Sequence, residues 1–353
     1  MKHDGLQELL EQLQTQLDLG EDQRDRLLAG SQAPWWLSAL LGLAAWFSAF
    51  FFILAFLGPW LLLIEGPVGR GLAGVLLLLA ALWLFRRGQP FANQIGLALS
   101  LTGQGLLVYV LAEHGGFDFD SERGPAWFSL ALAGGLLWLP SSFLHRHVCA
   151  LVMLASAAVL LGSGAGLALY CVLLAACACV LWLGRLLWVS HPQAGRIRAI
   201  ADAATLLSLC LAVAAHEQLL EPVFDLQGAS VGRWTSAIYP VGMALLLVAV
   251  VAWLIRDLKG TAWWSGLGAS IVLVVLAHPA PGLLLTLALG LAVFRASNRS
   301  WLALLPAFAG FYLFVLYYSL HISLLEKSLV MIATGATLLI GGLLLPRLWG
   351  TRP

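Results

Sequence analysis

Residues Pro90–Tyr109 read PFANQIGLALSLTGQGLLVY. The stretch is apolar enough to enter a bilayer, yet it carries Asn93, Gln94, Ser100, Thr102 and Gln104. Steps of three and four residues return to the same side of a helix. Asn93, Gly96, Ser100, Gly103 and Leu107 therefore share one face, with Gln104 beside it. Lipid cannot satisfy amide groups, so a seam of small and polar residues belongs against other helices. The pattern predicts a buried helix at the packing centre of a membrane bundle. Asn93, Gln94, Ser100, Gly103 and Gln104 are candidates for helix packing or for lining a solute path. Packing carries more weight, because side-chain amides bond neighbouring helices at about 1 kcal/mol each.

The rest of the chain agrees with a membrane setting. Of its 353 residues, 61% are hydrophobic and only 10% charged, and the mean hydropathy is +0.90. Soluble domains are about one quarter charged. The formal net charge of +1 provides no basic field for nucleic acid. All five cysteines, Cys149, Cys171, Cys177, Cys179 and Cys210, lie in apolar runs, where buried thiols behave as small hydrophobes. Neither a disulfide framework nor zinc spacing is expected of them.

Twelve apolar segments follow a polar arm: 35–58, 68–85, 91–112, 126–140, 147–161, 167–185, 199–219, 235–255, 262–278, 282–294, 301–320 and 329–345. A membrane helix needs about 20 residues. The fourth, fifth and tenth are short, and short helices can be tucked inside a bundle or drawn into a thinned bilayer. Residues 1–33 read as a cytoplasmic helical arm, with Leu6, Leu9, Leu10, Leu13 and Leu17 at helical spacing, and not as a secretory signal peptide. The bundle is expected over 34–346 and a short cytoplasmic tail over 347–353.

Basic residues set orientation. With the amino terminus inside, the outer connections hold only Arg70, Arg123, Arg233 and Lys327, and the other 15 of the 19 lysines and arginines lie inside. Both termini are thus expected in the cytoplasm. Tryptophans mark the interfaces independently: Trp138, Trp188, Trp264 and Trp301 fall near the inner one, Trp60, Trp127 and Trp234 near the outer.

At Pro34-Trp35-Trp36, in FANQIGLALSLTGQGL (Phe91–Leu106), and at Pro140-Ser141-Ser142-Phe143-Leu144-His145-Arg146, the sequence resembles a bacterial membrane family known as domain of unknown function 4401. The resemblance covers nearly the whole chain. Its motifs are of packing type and imply no catalytic residue. Members of that family are often encoded beside a membrane protein named for its GDYXXLXY motif, and the resemblance implies that protein as a partner.

Ionisable residues inside spans are costly and are functional candidates by default. Asp202 lies near the start of the seventh segment, four residues after Arg198, where a local ion pair competes with a proton or ion role. A second group lies at predicted outer ends: Glu113, His114, His216, Glu217, His278 and His321. Imidazoles and carboxylates at one depth could hold a divalent metal or relay protons. Against this, histidines are no commoner outside than inside, so no metal or other cofactor is expected. HExxH and Walker motifs are absent. The expected protein is an all-α, non-enzymatic integral membrane protein, a component of a membrane-protein assembly. The alternative is a transporter or channel for a small polar solute.

Overall fold

The computed structural model describes residues 47, 51, 66–114, 123–162, 164–214, 237–277, 280–319, 325, 328 and 332. The arm, the first and twelfth predicted segments and the tail lie outside the described helices. The chain divides into two compact units, Met1–Val110 and Leu111–Pro353. No strand occurs among the described residues.

In the first unit, α1 (Pro67–Arg86) and α2 (Pro90–His114, whose last turn passes the unit boundary) are joined by a three-residue connection. Proline at the first helical position of α1 gives up an N–H that would be unpaired there anyway. The buried side of α1 is Ala73, Gly74, Leu78, Ala81 and Phe85, a three-and-four repeat. The glycines of α2 meet that row and its neighbour Leu77: Gly103 lies against Gly74, Leu78 and Leu77, and Gly96 against Ala81 and Phe85.

The second unit holds α3 (Arg123–Trp138), α4 (Phe143–Leu161), α5 (Ala165–Leu183), the single turn α6 (Arg185–Trp188), α7 (Ala194–Ala214), α8 (Ile238–Leu254), α9 (Thr261–Ala277), α10 (Pro281–Arg295) and α11 (Arg299–Ser319). α3 packs on α4, and α4 on α7; α5 packs on α7, α8 and α10. The centre is α10. Leu284, Leu285, Ala288, Leu289, Ala292 and Val293 are all 0% exposed, and the helix packs on α5, α7, α8, α9 and α11. Its 15 residues span roughly 22 Å at 1.5 Å per residue, less than the ~30 Å of hydrocarbon. A helix too short to reach both interfaces is tolerated where protein, and not lipid, surrounds it. The packing centre of this unit is therefore a short helix.

Among the described residues six helices, α1, α2, α4, α5, α7 and α11, are long and apolar enough to cross a membrane, and α8, α9 and α10 are shorter apolar helices. Large side chains stand exposed on them, among them Val68 (74%), Leu72 (61%), Val180 (67%) and Val275 (68%). Such a surface suits lipid and not water. The protein is a helical, multi-pass membrane protein.

Ten predicted segments each meet a helix, with shifted ends. The fifth was expected from 147, but α4 starts at Phe143 because Ser142 caps it, accepting from the His145 N–H at 3.3 Å. The cap brings His145 and Arg146 into the helix, residues a hydropathy reading leaves out. Between α4 and α5, Gly162 and Gly164 take φ of +66° and +92°. Those left-handed values favour glycine.

The cysteines differ from the sequence expectation. Cys149, Cys171 and Cys179 are buried, but Cys177 and Cys210 are exposed. Cys177 and Cys179 are two residues apart, about 200° round the helix, so they face different ways.

Candidate functional site

The third-segment seam is built against α1. A Cβ added at Gly103 would stand 2.8 Å from the Gly74 carbonyl oxygen, and one added at Gly74 would meet the Gly103 carbonyl at 3.2 Å. Glycine thus faces glycine, and the two backbones approach as closely as side-chain-free positions permit. Leu107 covers Gly74, and the Phe85 ring lies 2.9 Å from a Cβ added at Gly96. Gly96, Gly103 and Leu107 form a packed contact along most of α2.

The polar members of the seam are held locally. Gln104 is buried and donates Nε2–H to Ser100 Oγ at 3.1 Å, within its own helix. Thr102 donates to the Ala98 carbonyl at 2.9 Å. The hydrogen bonds expected to reach a neighbouring helix are, for these two donors, made one turn back along α2. Asn93 is half-buried near the start of the helix. Gln94 Oε1 is buried with no hydrogen-bond partner among the described residues.

Asp202 is 8% exposed on α7. Its Oδ2 lies 3.7 Å from Arg198 Nε, and its Oδ1 accepts the indole N–H of Trp301 at 2.6 Å. The local pair that the spacing predicts is present, and a second, closer partner comes from α11, 99 residues away. No sequence periodicity points to Trp301, because the contact is made across the bundle. A short hydrogen bond to an ionised group contributes about 1.5–3 kcal/mol, and here it fixes α11 to α7.

Of the outer group, Glu113 is exposed near the end of α2, and α2 ends at His114. His216, Glu217, His278 and His321 lie outside the described residues. Among the described residues no cluster of three His, Cys, Asp or Glu side chains is placed to hold a metal ion.

The Pro140–Arg146 segment opens α4 with polar groups that sequence reasoning did not single out. His145 is 1% exposed, with Cys149 Sγ 3.6 Å from its Nε2 one turn on. Ser141 Oγ, Arg146 Nε and His147 Nδ1 are buried without hydrogen-bond partners among the described residues. Nearby, Arg196 donates to the Trp138 carbonyl at 3.1 Å and lies over the Trp138 ring, while Arg198 lies over Phe143. Arginine and aromatic rings thus clasp the starts of α4 and α7 together.

No curated protein and no solved structure matches the chain. A family profile does match, over residues 34–348. It takes in all of the described helices, the α1–α2 seam and the Pro140–Arg146 turn. On that match the chain belongs to the family described as Domain of unknown function (DUF4401).

Proposed function

We propose that the protein is a non-enzymatic component of a membrane-protein assembly in a bacterial inner membrane, with twelve spans and both termini in the cytoplasm. The observation that carries this reading is the filled seam of α2. Gly103 is closed against the Gly74 carbonyl, and Gln104 is taken up by Ser100. A seam occupied in this way leaves little room for a solute and makes the helix a structural member. The division of basic residues, 15 of the 19 on one side, supports the orientation. The partner in this reading is a second membrane protein of the GDYXXLXY type.

The alternative, a transporter or channel for a small polar solute, has one observation in its favour. Gln94 Oε1 is buried and unpaired among the described residues, as a solute-binding amide would be. Purification from native membranes in mild detergent separates the two. A second membrane protein recovered in fixed stoichiometry supports assembly. A chain recovered alone, with solute uptake in vesicles that Gln94→Leu abolishes, overturns it.

A further inference from the structure

One end of the second unit gathers positive charge round a cavity. The end of α5, the turn α6, the start of α7 and the α10–α11 connection border a half-open cavity of about 480 Å³. That volume falls within the range of small-ligand sites, about 300–1,000 Å³. Arg185, Arg198, Arg299 and Asn298 line it together with Trp182 and Trp188, and no carboxylate does.

The lining groups differ in how far they are committed elsewhere. Trp182 gives its indole N–H to Thr205 Oγ1 at 2.9 Å, and Trp188 gives its own to the Leu181 carbonyl at 2.7 Å. Their rings are therefore wall, not donors. Arg185 is anchored by one guanidinium nitrogen on the Ala296 carbonyl, which leaves other N–H groups of its planar fork. Arg198 is more than half exposed and only loosely held to Asp202 at 3.7 Å. Arg299 is exposed and has neither ion pair nor side-chain hydrogen bond among the described residues.

Further positive character comes from the surroundings. Arg146 lies behind the lining residue Gly195, where an added Cβ would stand 3.2 Å from its guanidinium. Two helices of 21 residues each, α7 and α11, begin at the cavity and bring the positive ends of their dipoles to it, although in α7 the N–H groups of Ala194, Arg196 and Ile197 are already taken by the His191 and Gln193 carbonyls. Asp202 offsets only one of the three lining arginines. Arginines held together beside a low-dielectric interior repel one another unless an anion joins them.

We propose that this cavity binds a phosphate group. Guanidinium forks match phosphate oxygens bidentately, helix starts complement an anion, and the tryptophan wall suits the apolar stem of a phospholipid at the headgroup level. A phospholipid headgroup and free phosphate both carry this chemistry, and they differ in how the group arrives.

The full-length protein in detergent is titrated with phosphatidylglycerol, with diacylglycerol of the same chains, and with inorganic phosphate against chloride at equal ionic strength, following the melting temperature. A saturable rise with phosphatidylglycerol and not with diacylglycerol is expected, and Arg299→Gln should weaken the midpoint roughly tenfold. Arg256→Gln removes a charge outside the cavity, from an exposed pair with Asp257, and should titrate like the parent. A rise with inorganic phosphate assigns the site to free phosphate; a rise with the lipid alone assigns it to headgroups. Equal shifts with diacylglycerol, no shift with any phosphate probe, or an Arg299→Gln protein that titrates like the parent would overturn the proposal.

Discussion

Tyr312 and Gly282 show how a single residue sets a close contact. The Gly282 N–H, in the first turn of α10, donates to the Tyr312 hydroxyl at 3.1 Å, and a Cβ at Gly282 would overlap the Tyr312 ring. Gly282→Ala should lower stability by about 1–3 kcal/mol, because a buried ring packed on α10 has nowhere to move. Tyr312→Phe should cost about 1 kcal/mol by leaving that N–H unpaired. Melting temperatures in one detergent check both, and a Gly282→Ala protein as stable as the parent would sink the account. The α2 seam makes a second test of the same kind. Gly103→Leu would drive a side chain into the Gly74 carbonyl and should cost about 1–3 kcal/mol or more. Gln104→Leu loses only a hydrogen bond within its own helix and should cost on the order of 0.5 kcal/mol. The reverse ranking would mean that Gln104, and not the glycine contact, organises the seam.

At the scale of elements, two features decide how helices start and how they are tied. Ser142 caps α4, and Ser142→Ala should cost about 1 kcal/mol, read as a lower melting temperature. α7 and α11 are joined through Asp202 and Trp301. A double-mutant cycle with Asp202→Asn and Trp301→Phe should give a coupling of about 1–3 kcal/mol. Additive effects would show that the hydrogen bond is not formed in the membrane. α10 illustrates the limit of reading elements by length. The residues 282–294 look too short to span, yet their small and branched apolar side chains, Leu284, Ala288 and Ala292 among them, pack on five neighbours. Shortness marked a helix surrounded by protein.

At the scale of the whole molecule, the testable quantity is topology. Reporter fusions within residues 191–198 and after Arg347 are expected to read cytoplasmic, and fusions within residues 117–123 external. An external signal at the carboxy terminus would break the count of twelve spans. Deleting residues 1–30 removes Lys2, Arg24 and Arg26 but leaves Arg86 and Arg87 and the later basic connections, so insertion and orientation should be unchanged. Failure of the shortened chain to insert would make the arm part of the fold.

What the sequence determined by itself was local. Hydropathy over windows of about 20 residues located the helices, because backbone groups in lipid must pair within their own segment. Spacings of three and four placed Gly96, Gly103 and Leu107 on one face of α2, because helical geometry repeats there. The Arg198–Asp202 pair was legible for the same reason, both partners lying one turn apart. The tertiary structure decided whatever joins residues far apart in the chain. It set Trp301 on Asp202, Tyr312 on Gly282, Gly74 on Gly103, and three arginines round one cavity. No periodicity records these pairings, since each depends on which helix faces come together and how closely, and packing alone settles that.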